Sequence, residues 1–129
     1  MDLKQNLIFV IDDDEIMRLS CKQILQKVGY VVETFGNGHN GIKRLREARP
    51  QLLIVDIKMP ELDGFGVIDI VRKIDADLVI VVITGYATVE TAVDAMKAGA
   101  YDFLPKPFTP SELRLIVGVV VGWAPLTVI

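Results

Sequence analysis

Short apolar runs rich in β-branched residues recur along this chain between segments of helical period, and three of them lead directly to charged residues. The run at 7–11 is followed at once by Asp12, Asp13 and Asp14, the run at 52–55 by Asp56, and Phe103-Leu104, after one proline, by Lys106. Runs of this length and composition are what parallel strands covered on both faces look like, and the segments between them are long enough for crossover helices. All strands of such a sheet point one way. The three sets of charge therefore fall at its carboxyl edge, where open α/β folds build their ligand sites.

The remaining elements follow from the same alternation. The first helix spans 15–28, with Ile16, Leu19, Ile24 and Val28 near helical spacing and Gly29 as its stop. A second strand at 31–35 leads to a turn at Asn37-Gly38. The helix after it runs through Ile42 and Leu45, turns Lys43, Arg44 and Arg46 outward, and is closed by Pro50. After the third strand, a loop with Met59-Pro60 and Asp63-Gly64 precedes a helix carrying Phe65, Ile68 and Val71. The most apolar strand, 78–83, stops at Thr84-Gly85. A fourth helix covers 89–98 and ends at Gly99, the fifth strand is 102–104, and the last helix starts after Thr109-Pro110, with Thr as cap and Pro as first residue. Right-handed crossovers then predict an α/β fold, a flavodoxin-like doubly wound sheet of five parallel strands in order 2-1-3-4-5 with five helices.

At 129 residues the chain fits one domain, and 51% hydrophobic content suffices for its core. A net charge of −3, with basic residues scattered, leaves no electrostatic footprint for direct binding of nucleic acid. The single cysteine, Cys21, excludes an internal disulfide and reads as a small buried hydrophobe, which fits a reducing cytoplasm. The N-terminal segment enters a strand-like run too short for an export signal. The end of the chain differs in character. From Leu115 onward it is nearly continuously apolar, yet Gly118, Gly122 and Pro125 interrupt it, and it falls short of the ~20 residues that cross a bilayer. The expected division is a domain at 1–121 and an atypical apolar tail at 122–129, packed or ill-ordered rather than membrane-bound or partner-binding. Gly118 and the valines beside it weaken helix there.

Carboxylates gathered at adjacent strand ends do not all ionise without a counter-charge, so these acids call for a divalent cation, and hard oxygen donors favour Mg²⁺ with a phosphate nearby. Capping of the following helix is the plainer role for Asp13 or Asp14, and it accounts for one acid, not for all of them with Asp56. Lys106 lies between Leu104-Pro105 and Pro107-Phe108, which restrict its backbone and aim its ammonium, a point charge suited to phosphate. The ordinary alternatives are a solvated strand end for Asp56, a surface lysine for Lys106, and a Thr84 hydroxyl bonded to its own backbone. His39 is expected to face solvent, and Met17, Met59 and Met96 to pack in the core or loops.

Four motifs occur in order: the acids 12–14, AspIleLysMetPro at 56–60 with Asp63-Gly64, Thr84-Gly85, and AspPheLeuProLysProPhe at 102–108. Together they make the stretch from Leu7 to Val117 resemble the receiver domain of a two-component response regulator. The stretch from Thr84 to Ala100 further resembles receivers attached to enhancer-binding transcription activators. The resemblance implies a phosphorylation-dependent signalling switch in which Asp56 accepts a phosphoryl group from a sensor histidine kinase with Mg²⁺ as cofactor. It implies that Asp13 binds the metal directly and Asp12 mostly through water, with Asp56 and the backbone carbonyl of Lys58 completing the set, while Asp14 caps the helix. Thr84 and Lys106 would hold the phosphoryl oxygens. Lys58 and Tyr86 would modulate dephosphorylation, Thr84 and Phe103 would form the switch, and the Lys106-Pro107 bond would be cis. The partner face would be that of the fourth helix, fifth strand and fifth helix, acting on an output domain or downstream protein and open to homodimerisation, although the atypical end of the last helix leaves the dimer geometry open. No enzymatic activity is implied beyond self-phosphorylation and self-dephosphorylation.

Two other classes compete with this reading. A haloacid-dehalogenase-like phosphatase would use Asp12, Asp14, Thr84 and Lys106, but it leaves Asp56 idle and lacks a late acid pair. A phosphorylation-independent dimerisation module would have no need of the intact acids and Lys106.

Overall fold

The computed structural model describes residues 6–121, and the apolar tail expected at 122–129 lies outside them. Five strands and five helices alternate: β1 (Leu7–Ile11), α1 (Glu15–Gln26), β2 (Val31–Phe35), α2 (Gly38–Glu47), β3 (Leu52–Asp56), α3 (Gly64–Ile74), β4 (Val79–Thr84), α4 (Val89–Lys97), β5 (Asp102–Pro105) and α5 (Pro110–Val121). The strands form one parallel sheet in the order β2-β1-β3-β4-β5. The chain order reverses between β1 and β3, which opens a crevice above their carboxyl ends.

The strand runs are continuously apolar because both faces of the sheet are covered. Phe9, Ile11, Leu53, Val55 and Val82 point to one side, where they meet Ile42 and Leu45 of α2, Val67, Ile68 and Val71 of α3, and Ala95 of α4. Their neighbours Ile8, Val10, Leu52, Ile54, Val81 and Ile83 point to the other, against Cys21 and Leu25 of α1 and Leu113 and Val117 of α5. Burial of this kind contributes roughly 1.5–3 kcal/mol per large aliphatic side chain, and it fixes the register, since a slip of one residue would exchange the faces. Cys21 is fully buried; desolvation first, and then the negative charge of Asp12, push its thiol up to about 12, so it behaves as a hydrophobe.

Several local expectations change. Helix α1 ends at Gln26, with Lys27 as its cap, and it buries the stripe of Met17, Cys21, Ile24 and Leu25 to different degrees, with Val28 just past its end packed on the same side. Ile16 and Leu19 face solvent, at 77% and 54% exposure. Two apolar stripes overlap on this helix, and the sheet selects the one that carries the cysteine. Asn37 is the N-cap of α2 rather than half of a free turn, its side chain accepting from the Asn40 N–H at 2.8 Å. Helix α5 continues through Gly118 to Val121 because Gly118 and Val117 are buried, so packing outweighs the low helix propensity there. Its start is a reciprocal cap: the Glu112 N–H donates to Thr109 Oγ1 at 3.1 Å and the Thr109 N–H donates to Glu112 Oε1 at 2.8 Å. Met96 is not packed inside but lies half-exposed on α4.

One glycine ties α3 to the end of β3. The Gly64 N–H donates to the Ile57 carbonyl at 2.8 Å, and a methyl group at Gly64 would collide with the Asp56 carbonyl oxygen and sit 2.7 Å from Ile57 Cα. Both obstacles are backbone and cannot rotate away. Gly64→Ala is therefore expected to lower stability to urea by about 1–3 kcal/mol. Gly85→Ala, where a methyl group meets nothing within 4 Å, is expected to stay within about 0.5 kcal/mol of the parent in the same unfolding titration.

Candidate functional site

The crevice at the carboxyl edge is built from the residues that end β1, β3, β4 and β5. Asp12 follows β1 and is completely buried. Its N–H donates to the Phe35 carbonyl at 3.1 Å, its Oδ1 accepts from the Asp14 N–H at 3.0 Å, and its Oδ2 accepts from Lys106 Nζ at 2.8 Å. Asp13 is exposed at the rim. Asp14 turns away to cap α1, accepting from the N–H groups of Ile16 and Met17 at 3.0 and 3.3 Å. Asp14 is not among the acids that cluster in the crevice.

Asp56 is the last residue of β3 and is buried. Its Oδ2 accepts from Lys106 Nζ at 3.3 Å and its Oδ1 from the Lys58 N–H at 3.4 Å. Carboxylate oxygens of Asp12, Asp13 and Asp56 all lie within 4.8 Å of one another. Lys106 thus bridges two buried carboxylates from the far side of the sheet, while its own N–H donates to the Thr84 carbonyl at 2.8 Å. The Lys106-Pro107 peptide is cis. Thr84 is fully buried at the end of β4, and its Oγ1 accepts from the Tyr86 N–H at 3.1 Å. Phe103, on β5, is half-buried against the cluster under α2, α3 and α4.

The electrostatics are those of a crowded acidic pocket. Burial, and then the charge of Asp12, raise the Asp56 pKa above the usual carboxylate value; the charge and hydrogen bond of Lys106 and the Lys58 N–H oppose the rise. For Lys106, burial acts to lower the pKa, but the hydrogen bond and charge of Asp12, followed by those of Asp56, outweigh it, so its pKa is raised and the ammonium persists. Three carboxylates against one ammonium leave the pocket with excess negative charge and hard oxygen donors, which is a donor set that fits Mg²⁺.

Lys58 and Tyr86 both project outward at the rim, and the ammonium of Lys58 lies 5.1 Å from the centroid of the Tyr86 ring. A contact between them was not legible from two residues 28 positions apart. His39 is exposed on α2, while Met17 and Met59 pack inside. Sequence reasoning gave Arg18 no role. Its Nη1 donates to the Asp12 carbonyl at 2.8 Å. The available signal was its place one turn after the acids, since helical side chains lean back toward the N-terminus.

No helix among the described residues is long and apolar enough to cross a membrane. Residues 8–118 match the family model of the response regulator receiver domain. The chemotaxis protein CheY of Thermotoga maritima is 36% identical over 107 residues, 82% of this chain and 89% of that protein. The regulatory protein AtoC of Escherichia coli is 33% identical over 112 residues, 87% of this chain but only 24% of AtoC, so the chain spans about a quarter of that relative. Among solved structures, a CheY-like receiver domain protein from Methanospirillum hungatei superposes with a TM-score of 0.86 at 30% identity, covering 94% of this chain and 95% of that one. With a sheet, an acidic edge and a sequence that all match, the chain belongs to the response regulator receiver domain family.

Proposed function

We propose that this chain is a phosphorylation-controlled switch in which Asp56 takes a phosphoryl group from the phosphohistidine of a sensor kinase. The observation that carries the reading is the Lys106 ammonium held between Asp12 and Asp56 beside the rim acid Asp13. One carboxylate oxygen of Asp56 forms the new O–P bond as the P–N bond breaks, and the electron pair of that bond stays on the imidazole nitrogen. Such a transfer needs alignment and charge neutralisation more than covalent chemistry. Asp13 and Asp56, with the Lys58 carbonyl and with Asp12 through water, are the groups that would hold Mg²⁺, which when bound supplies neutralisation of the acids and phosphoryl oxygens. Lys106 offsets the charge that develops on the transferred group, and the Thr84 hydroxyl turns from its local bond toward a phosphoryl oxygen. Lys58 and Tyr86 stand over the pocket mouth and govern the access of water, which sets the lifetime of the acyl phosphate.

The output in this reading is conformational. Movement of Thr84 frees space beside β4 into which Phe103, paired with Val82 across the β4–β5 ladder, turns. The face of α4, β5 and α5 then changes. It already presents exposed Val93, Met96, Tyr101, Leu115 and Val119 to a partner, whether an output domain, a downstream protein or a second copy. Relatives such as the DNA-binding transcriptional regulator NtrC of Salmonella typhimurium, of which the chain covers 24%, support transcription regulation as the end of the pathway, carried by the part of that protein outside the match.

Three outcomes test the reading. Incubation with a small phosphodonor and Mg²⁺ should add one phosphoryl group by intact mass, and none in Asp56→Asn or with a chelator present; addition to Asp56→Asn would place the acceptor elsewhere. Lys106→Met removes the ammonium from the pocket, so Mg²⁺ should bind tighter by calorimetry, by about the ten-fold that ~1.4 kcal/mol produces, while phosphorylation slows. Amide chemical shifts of the phosphorylated protein should change through α4, β5 and α5, and shifts confined to the pocket would rule out the coupling.

A further inference from the structure

Asp12 and Asp13 are joined by a peptide plane whose carbonyl oxygen belongs to Asp12. That oxygen accepts a charge-assisted hydrogen bond from Arg18 Nη1 at 2.8 Å. Because the peptide is planar, holding the oxygen also holds the Asp13 nitrogen, and with it the direction in which the Asp13 Cα and carboxylate leave the strand. Asp12 itself is tied at three further atoms, its N–H to Phe35, Oδ1 to Asp14 and Oδ2 to Lys106. Asp13, exposed at the rim, relies on the plane before it.

Arg18 is suited to this task by its surroundings. It is half-buried, and no carboxylate lies within ion-pair distance of it among the described residues. Its guanidinium lies over Gly36, just past β2, where a Cβ would stand 3.2 Å from Nη1 and 3.5 Å from Cζ. A side chain at position 36 would press on the guanidinium, so the absent Cβ leaves it room to reach from α1 across to the end of β1.

We infer that Arg18 is a positioning residue for the cation site: it acts through the Asp12–Asp13 peptide to aim the Asp13 carboxylate, and this rests on the reading of the acidic pocket as a Mg²⁺ site. The inference has a sign that simple electrostatics does not share. Arg18 is a positive charge near an acidic cluster, so its removal, if charge alone mattered, would strengthen cation binding. Loss of positioning weakens it.

The experiment is calorimetric titration of Mg²⁺ into metal-free wild type, Arg18→Met, Arg18→Lys and Gly36→Val, with thermal unfolding and amide spectra of each metal-free protein. Arg18→Met should bind Mg²⁺ about ten-fold more weakly, the effect typical of losing a group that orients a ligand. Its Asp13 and Asp14 amide resonances should shift before any metal is added. Arg18→Lys, which retains one donor, should recover part of the affinity, and Gly36→Val, which displaces the guanidinium with its charge intact, should lose part. Tighter binding by Arg18→Met, or unchanged affinity with a lower melting temperature, would overturn the inference and leave the receiver function standing. Wild type that neither binds Mg²⁺ nor accepts a phosphoryl group would overturn both.

Discussion

The ammonium of Lys106, 2.8 Å from Asp12 and 3.3 Å from Asp56, is the interaction on which the rest of the site depends. Two buried carboxylates at the ends of neighbouring strands repel each other, and a cation between them lets both remain ionised. The sheet order makes this demanding. Neighbouring strands stand about 4.8 Å apart, so β5 and β3 are separated by roughly 10 Å with β4 between them. The long flexible stem of Lys106 crosses that distance. The backbone of Lys106 is in turn held to β4 through the Thr84 carbonyl. A buried ion pair of this kind is weak evidence for stability, because desolvation of the charges offsets much of their attraction. Its presence at the one edge where parallel strands gather ligands is better explained by chemistry.

The two flanks of the sheet are built differently, and this decides which of them is able to respond. At the β2 edge, Arg44 of α2 makes two hydrogen bonds to Glu33, at 2.7 and 3.1 Å, and the surface there is charged. At the β5 edge, α4 buries only Ala95 among its residues, while Val89, Val93 and Met96 face outward. A helix held by one small side chain has little burial to lose when it shifts. Its N-terminus is nevertheless well made: Thr88 and Thr91 cap each other, and Thr91 also bonds the Tyr86 carbonyl two residues after Thr84. The helix is thereby tied to the loop that follows β4.

The strands were legible because burial on both faces leaves nearly uninterrupted apolar runs, and the charged residues that end them stand out against that background. Asp12, Asp56 and Lys106 could be assigned to one edge for the same reason, since parallel strands share a direction. What the pattern lacked was any way to choose between overlapping stripes. Ile16 and Leu19 of α1 are more apolar than Cys21, yet the helix buries Cys21 because its axis is set by contacts with β1, β2 and α5. Gly118 argued for a weak helix, yet it is buried within α5, where packing outweighs the low propensity. Arg18 was invisible as a contributor for another reason: its partner is a backbone carbonyl, which no side-chain motif records.

Whether a single phosphoryl group is enough to drive such a switch is a question of magnitude. A modification moves an equilibrium only by as much as it interacts differently with the two states. In the proposed switch the differential contacts are those of Thr84, which at present accepts from the Tyr86 N–H, and of Lys106, which at present is shared by two acids. Hydrogen bonds to a charged group contribute roughly 1.5–3 kcal/mol each, so two of them supply about 3–6 kcal/mol. Carrying a two-state equilibrium from 1:99 to 99:1 takes about 5.5 kcal/mol. The contacts therefore suffice for a large shift only if α4 and Phe103 resist little, and the sparse burial of α4 meets that condition. A more deeply packed fourth helix would leave the same phosphoryl chemistry intact and disconnect it from the surface.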